Sequence, residues 1–225
     1  MVLEGFDSII FDLDGTLWDT SKACAVAWNN VLTRNDISFR KITADDVRAV
    51  TGLPHDKCIK TVFKTLPHEE ISLLTAETME EDMLVITKIG GELYEDVTEG
   101  LHKLRERYEL FIVSNCQSGY IENFLVQNEV EELFKDHLCW GDTGNSKSLN
   151  TRTIVQKNKL INPVFVGDTE GDFKAARDCG IDFFQAAYGF GLPISSCKLA
   201  NSFSELVLMI SGPTGRFSVS ILLTP

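Results

Sequence analysis

Residues 9–17, Ile-Ile-Phe-Asp12-Leu-Asp14-Gly15-Thr16-Leu, set two carboxylates at the end of an apolar run closed by a glycine. Aspartate can act as a nucleophile or as a proton donor. A two-residue spacing lets Asp12 and Asp14 serve one phosphorus centre in these two roles. A second apolar run, Val164-Phe-Val-Gly167, ends in the same manner, with Asp168 directly after it and Asp172 four residues on. Hard oxygen donors suit Mg²⁺, which takes a few carboxylates plus water and substrate phosphate. Four acids near one point must shift their pKa values strongly or be neutralised. Mg²⁺ would offset two of the four charges, and a lysine beside them a third. Phosphoryl transfer asks for an in-line nucleophile, neutralised equatorial oxygens and a proton for the leaving group, and each has a candidate here.

These residues need elements to bring them together. The run before Asp12 is short, β-branched and aromatic, as expected of a buried strand, and Gly15 permits the sharp exit. Further strands are predicted at 110–114, 137–140, 163–167 and 181–185. Helices are predicted between them at 98–107, 118–128, 146–158 and 170–179. Such alternation implies a mostly parallel α/β sheet covered on both faces, with ligands bound at the carboxyl ends of the strands. Residues 18–95 break the rhythm and read as helices only. From Thr20 to Arg34, Cys24, Ala27, Trp28, Val31 and Leu32 form one apolar stripe. A long helix starts near Pro67 and ends at Gly90-Gly91, with a possible break where Glu80-Glu81-Asp82 interrupts its apolar face. The expected organisation is an α/β core over 1–17 and 96–210, with a helical block at 18–95. The block either decorates the sheet or forms a mobile cap. The tail, 211–225, is either an edge strand or disordered.

The segment Asp12-Leu-Asp14-Gly15-Thr16 resembles the Asp-x-Asp-Gly-Thr signature of the haloacid dehalogenase superfamily of phosphohydrolases. The resemblance implies a Rossmann-like fold with an inserted helical cap, and makes Asp12 the residue that becomes an aspartyl phosphate. Asp14 would protonate the departing alcohol and then take a proton from the attacking water. Ser114, closing the strand Phe111-Ile-Val113, matches the second family motif and would hold a phosphate oxygen, with Asn115 beside it. Lys147, at the start of a helix, matches the third, although Ser148 stands where many relatives carry proline. Asp168 and Asp172 match the fourth. The ion would be held by Asp12, Asp168 and the main-chain carbonyl of Asp14, with Asp172 acting directly or through water. The stretch 140–148 approaches a Walker phosphate loop but has Ser146 where the last glycine belongs.

Asp14 argues against the dehalogenating and phosphonate-cleaving branches, which lack it. The local text most resembles phosphoglycolate phosphatase-like and β-phosphoglucomutase-like members. Mutase-like relatives grip a second phosphate with Gly-x-Ser-Arg, and Gly52-Leu-Pro-His55 stands at the corresponding place. A phosphatase acting on a small phosphorylated metabolite is therefore the favoured reading and a sugar-phosphate mutase the alternative. A receiver-type signalling domain fits less well, because its acidic pair should precede the phosphoacceptor. Trp18, Arg48 and His55 are candidates for substrate specificity.

The 225 residues carry 33 acidic against 21 basic side chains, a formal charge of −12. Such a surface repels nucleic acid. No apolar run approaches a membrane span, and the first residues lack a basic segment followed by an apolar one. Six scattered cysteines and four histidines show no ligand spacing, against structural zinc or a disulfide framework. The expectation is a cytoplasmic monomer or homodimer.

Overall fold

The computed structural model describes residues 5–212. Along the chain, β1 (Ser8–Phe11) and the two-residue β2 (Trp18–Asp19) come first. Four helices follow: α1 (Ser21–Arg34), α2 (Ala44–Arg48), α3 (His55–Val62) and α4 (His68–Ile89). A further two-residue strand, β3 (Glu92–Leu93), leads into α5 (Val97–Arg105), β4 (Glu109–Ser114), α6 (Tyr120–Gln127) and β5 (Phe134–Cys139). The short α7 (Trp140–Thr143) precedes α8 (Lys147–Lys157), β6 (Pro163–Gly167) and α9 (Glu170–Cys179). Last come β7 (Asp182–Ala186), β8 (Lys198–Ala200) and α10 (Phe203–Ser211).

Six strands form one sheet in the order β5-β4-β1-β6-β7-β8, with every pair parallel. The fold is thus α/β and Rossmann-like. Strand order reverses at β1, so the crevice beyond the carboxyl ends of β1, β4 and β6 is the natural ligand site. Side-chain alternation divides the core between the two faces. Ile9, Phe11, Leu110, Ile112, Val164 and Val166 pack with Leu101 of α5 and Phe203 and Leu206 of α10. Ile10, Phe111, Val113 and Phe165 pack with Ile154 of α8 and Ala176 of α9. Burial on both faces explains why these strands carry continuous apolar runs.

Several boundaries differ from expectation. β5 begins at Phe134, and Trp140 opens α7 instead of closing the strand. β8 escapes a pattern reading because three residues, Lys198-Leu199-Ala200, show no usable alternation. Residues 18–95 were expected to be all-helical, yet β2 and β3 pair antiparallel, Trp18 opposite Leu93 and Asp19 opposite Glu92. This ribbon joins the two places where the chain passes between the sheet and helices α1–α4. The helix from Pro67 is unbroken: α4 runs through Glu80-Glu81-Asp82. Two of these acids find donors on α1. Glu81 accepts from Asn30 Nδ2 (2.9 Å) and Arg34 Nη1 (2.8 Å), and Asp82 from Trp28 Nε1 (3.2 Å). Of the tail expected at 211–225, Ser211 closes α10, and residues 213–225 lie outside the described residues. No helix among the described residues is long and apolar enough to cross a membrane.

Trp18 is fully buried, its ring edge-on to Tyr120 (5.4 Å between centroids) and Phe124 (5.0 Å). It therefore pins the ribbon to α6. Trp18→Ala should lower the unfolding free energy by about 3–5 kcal/mol, measured by urea denaturation.

Candidate active site

Asp12 directly follows β1, and its N–H donates to Val166 O (2.8 Å), extending the ladder with β6. The in-register pairing of Phe11 with Val166 brings Asp12 beside Asp168, which follows β6. Asp172 is the third residue of α9. One oxygen from each of Asp12, Asp168 and Asp172 lies within 4.8 Å of the other two, and all three residues are buried. The structure thus brings together three of the four acids singled out in the sequence.

Lys147 opens α8, whose first turn is capped by Ser146 Oγ accepting from Leu149 N (3.3 Å). The buried ammonium donates to Asp12 Oδ1 (2.7 Å) and Asp172 Oδ1 (2.6 Å). The other oxygen of Asp172 accepts from Thr169 N (2.9 Å) and Thr169 Oγ1 (2.6 Å), forming a capping box. Both Asp172 oxygens are thus engaged by protein donors. Asp168 differs. Its Oδ2 accepts from Phe190 N (2.7 Å) and Gly191 N (3.1 Å), while Oδ1 is buried with no partner. The loop Gly189-Phe190-Gly191 comes this close because a Cβ at 189 or 191 would strike Gly15 O or Asp168 O. Gly15 itself has φ +83°, and a Cβ there would also collide with Asp168.

Burial, followed by the charge of Asp172, raises the Asp12 pKa against the pull of Lys147. The same two causes push Asp168 up to about 7. Burial disfavours the Lys147 ammonium, but Asp12 and Asp172 outweigh it and raise its pKa. Carboxylates that resist ionising, together with an orphaned buried Asp168 oxygen, fit a small, hard divalent cation such as Mg²⁺.

Asp14 Oδ1 accepts from Tyr120 Oη (2.7 Å) and Thr20 Oγ1 (3.1 Å). Burial raises its pKa to about 6, although both hydrogen bonds pull the other way. Ser114 ends β4, with its Oγ accepting from Cys116 N (3.2 Å). Asn115 Nδ2 donates to Gly52 O (2.8 Å), linking the sheet edge to the helical block. Asp12, Asp14, Ser114 and Asn115 line one side of a cavity of about 80 Å³, whose remaining wall includes Trp28, His55 and Asp82.

Of the specificity candidates, only His55 lines this cavity. Trp18 is buried beneath it, and Arg48 is held by Asp19 (2.6 Å) and Asp45 (3.0 Å). Sequence reasoning missed several neighbours of the acids. Thr169-x-x-Asp172 has the spacing of a capping box, and Gly189-Phe-Gly191 after a strand marks a close approach, so both had local signals. Tyr120 had none, because it stands 106 residues from Asp14.

Comparison with known proteins agrees with this geometry. The haloacid dehalogenase-like hydrolase family matches residues 9–186. A phosphoglycolate phosphatase of Vibrio vulnificus strain YJ016 is 31% identical over 216 residues, 88% of this chain and 93% of the relative. One from Colwellia psychrerythraea is 28% identical over 206 residues, 84% and 88% of the two chains. In fold, the chain is similar to a haloacid dehalogenase-like family protein of Streptococcus pneumoniae (TM-score 0.79, 21% identity, 90% of this chain and 97% of that one). It is equally similar to a protein described as a predicted phosphoglycolate phosphatase of Haemophilus somnus (TM-score 0.79, 21% identity, 92% and 99%). With the acids of β1 and β6 converging as they do, this chain belongs to the haloacid dehalogenase-like hydrolases and is a phosphatase of that family.

Proposed function

We propose that the protein is a Mg²⁺-dependent phosphatase that hydrolyses a small phosphorylated metabolite through an aspartyl phosphate on Asp12. What carries the proposal is the buried Asp12–Asp168–Asp172 cluster with one lysine and an unpartnered Asp168 Oδ1. Asp12, Asp168 and the main-chain carbonyl of Asp14 would hold the ion. When bound, it supplies positive charge to the phosphoryl oxygens. Lys147 holds Asp12 through Oδ1 and favours its ionised form, which leaves the other oxygen to attack phosphorus. Ser114 and Asn115 bind the phosphate. Tyr120 and Thr20 surround Asp14 Oδ1 and lie 2.7 Å from each other, sharing two hydroxyl protons among three contacts. A carboxyl titrating near 6 can give its proton to the departing alkoxide. As carboxylate, it can then take one from the water that opens the intermediate.

The helical block 18–95 acts as a cap. Asn115 to Gly52 and Gln117 Nε2 to Met79 O (2.9 Å) hold it over the site. Closure excludes bulk water from the phosphorylated enzyme. A mutase would need a cation for a second phosphate, and among the described residues no lysine or arginine lines the cavity. All six cysteines are free thiols, consistent with the proposed cytoplasmic location.

Asp12→Asn should reduce Mg²⁺-dependent release of phosphate from p-nitrophenyl phosphate by about 10⁴-fold or more without loss of fold by circular dichroism. Asp14→Asn should slow hydrolysis of alkyl phosphates by about 10²–10⁴-fold. Its effect on p-nitrophenyl phosphate should be much smaller, since p-nitrophenolate leaves without a proton. Raised carboxyl pKa values also fix a sign for stability. Between the unfolded value of 3.8 and the folded values of about 6 for Asp14 and about 7 for Asp168, the folded chain binds more protons. The metal-free protein therefore loses stability as pH rises through that window. Its Tm in EDTA should fall between about pH 5 and about pH 8, and Mg²⁺ should restore it chiefly at the upper end.

A further inference from the structure

Tyr120 opens α6 and is buried. Its hydroxyl lies 2.7 Å from Asp14 Oδ1 and 2.7 Å from Thr20 Oγ1, which is itself 3.1 Å from the same carboxyl oxygen. All three residues line the cavity. Packing does not call for the tyrosine hydroxyl. The ring stands edge-on to Trp18, and Phe124, one turn along α6, makes the same kind of contact without a hydroxyl. A buried hydroxyl costs free energy unless it is hydrogen-bonded. Among the described residues, the partners of this one are Asp14 and Thr20. Thr20 is likewise diverted from a local task. It holds the N-cap position of α1, yet its side chain makes no capping bond. At the starts of α2, α8, α9 and α10, the Thr or Ser side chain accepts a helix N–H. In α1 the hydroxyl serves Asp14 and Tyr120 instead, with the Cys24 thiol as a distant further contact (3.9 Å).

We propose that Tyr120 and Thr20 are positioning residues for the leaving-group step, holding Asp14 by Oδ1 so that Oδ2 is aimed at the oxygen of the departing alcohol. This deepens the phosphatase assignment and rests on it. A carboxyl group can turn about its Cβ–Cγ bond unless one oxygen is held. Proton transfer needs the other oxygen within about 2.6–3.2 Å of the reacting atom, and a misplacement of about 1 Å can cost about 10²-fold in rate. Two hydroxyls on Oδ1, one from α6 and one from the start of α1, fix the carboxyl plane from two directions. Among the described residues Oδ2 has no hydrogen-bond partner, which leaves it for the substrate. The two hydroxyls also depend on each other. They share two protons among three contacts, so removing either leaves a single donor for Oδ1 and frees the carboxyl to turn.

The test measures kcat/KM with Mg²⁺ on the full chain for p-nitrophenyl phosphate and for the better alkyl ester of 2-phosphoglycolate and glycerol 1-phosphate. An alkoxide needs a proton to leave and p-nitrophenolate does not. Because kcat/KM covers only the steps up to departure of the leaving group, the later opening of the aspartyl phosphate does not enter. Tyr120→Phe should lower the alkyl-to-aryl ratio of kcat/KM by about tenfold or more. Thr20→Val should move the ratio the same way, and Thr20→Ser, which keeps the hydroxyl, should restore it. In an Asp14→Asn background, Tyr120→Phe should lower the ratio no further, since a residue acting through Asp14 then has nothing to aim. Equal losses on both esters, as a merely structural role predicts, an unchanged ratio, or an additive loss beside Asp14→Asn overturns the proposal. Should Tyr120→Phe fail to fold, Thr20→Val against Thr20→Ser decides. Wild-type turnover of p-nitrophenyl phosphate with neither alkyl ester used overturns the positioning roles but not the phosphatase assignment. Absence of Mg²⁺-dependent turnover on every ester overturns the phosphatase assignment itself.

Discussion

Like charge packed into a buried space is the constraint to which the rest of the structure answers. Three carboxylates approach within 4.8 Å, with a single ammonium among them. Each neighbour is accordingly a donor: Lys147 to two acids, the Thr169 N–H and hydroxyl to Asp172, the N–H groups of 190 and 191 to Asp168, Tyr120 and Thr20 to Asp14. These bonds moderate the repulsion without removing it, since Asp12, Asp14 and Asp168 all remain shifted toward the protonated form. The site is therefore strained electrostatically, and a bound cation would relieve it.

Such a site needs a frame that does not yield, and the sheet provides one. Asp12 and Asp168 follow two fully buried, in-register neighbours, β1 and β6, so their separation is fixed by the strand spacing. Ser114 ends β4 on the other side of β1. Asp12, Asp168 and Ser114 thus come from strand ends, and Lys147 and Asp172 from the first turns of α8 and α9. Those that reach across the cavity come from helices α1, α3 and α4, connected through the short β2–β3 ribbon. The acids and the far wall of the cavity are thus carried by different parts of the fold.

This division also explains what the sequence revealed. The acid pairs were legible because a buried parallel strand has a strong local signature, an apolar run, and its functional residue sits at a defined end of that run. Lys147 and Ser114 were legible only through the family resemblance, since a lysine opening a helix or a serine ending a strand carries no chemistry by itself. Tyr120 was invisible because its bond to Asp14 depends on tertiary packing alone. Two-residue strands such as β2 and β3 are too short for any period to show. The acidic run in α4 was misread as a weak point because its partners, Trp28, Asn30 and Arg34, lie on a different helix.

That run illustrates how one stretch of like residues can hold distinct roles. Glu81 is paired by Arg34 at the surface, where an ion pair contributes little to stability. Asp82, one residue along and on a different face of the helix, is almost fully buried. Its Oδ2 accepts from Trp28, while Oδ1 is buried without a hydrogen-bond partner. An apolar residue there would fill the helix–helix seam without leaving a polar atom unpaired. The retained carboxyl therefore costs the helical block stability relative to an apolar residue. On the sheet side Asp168 Oδ1 is likewise buried without a partner, and there the crowding of three carboxylates adds repulsion to the cost of burial.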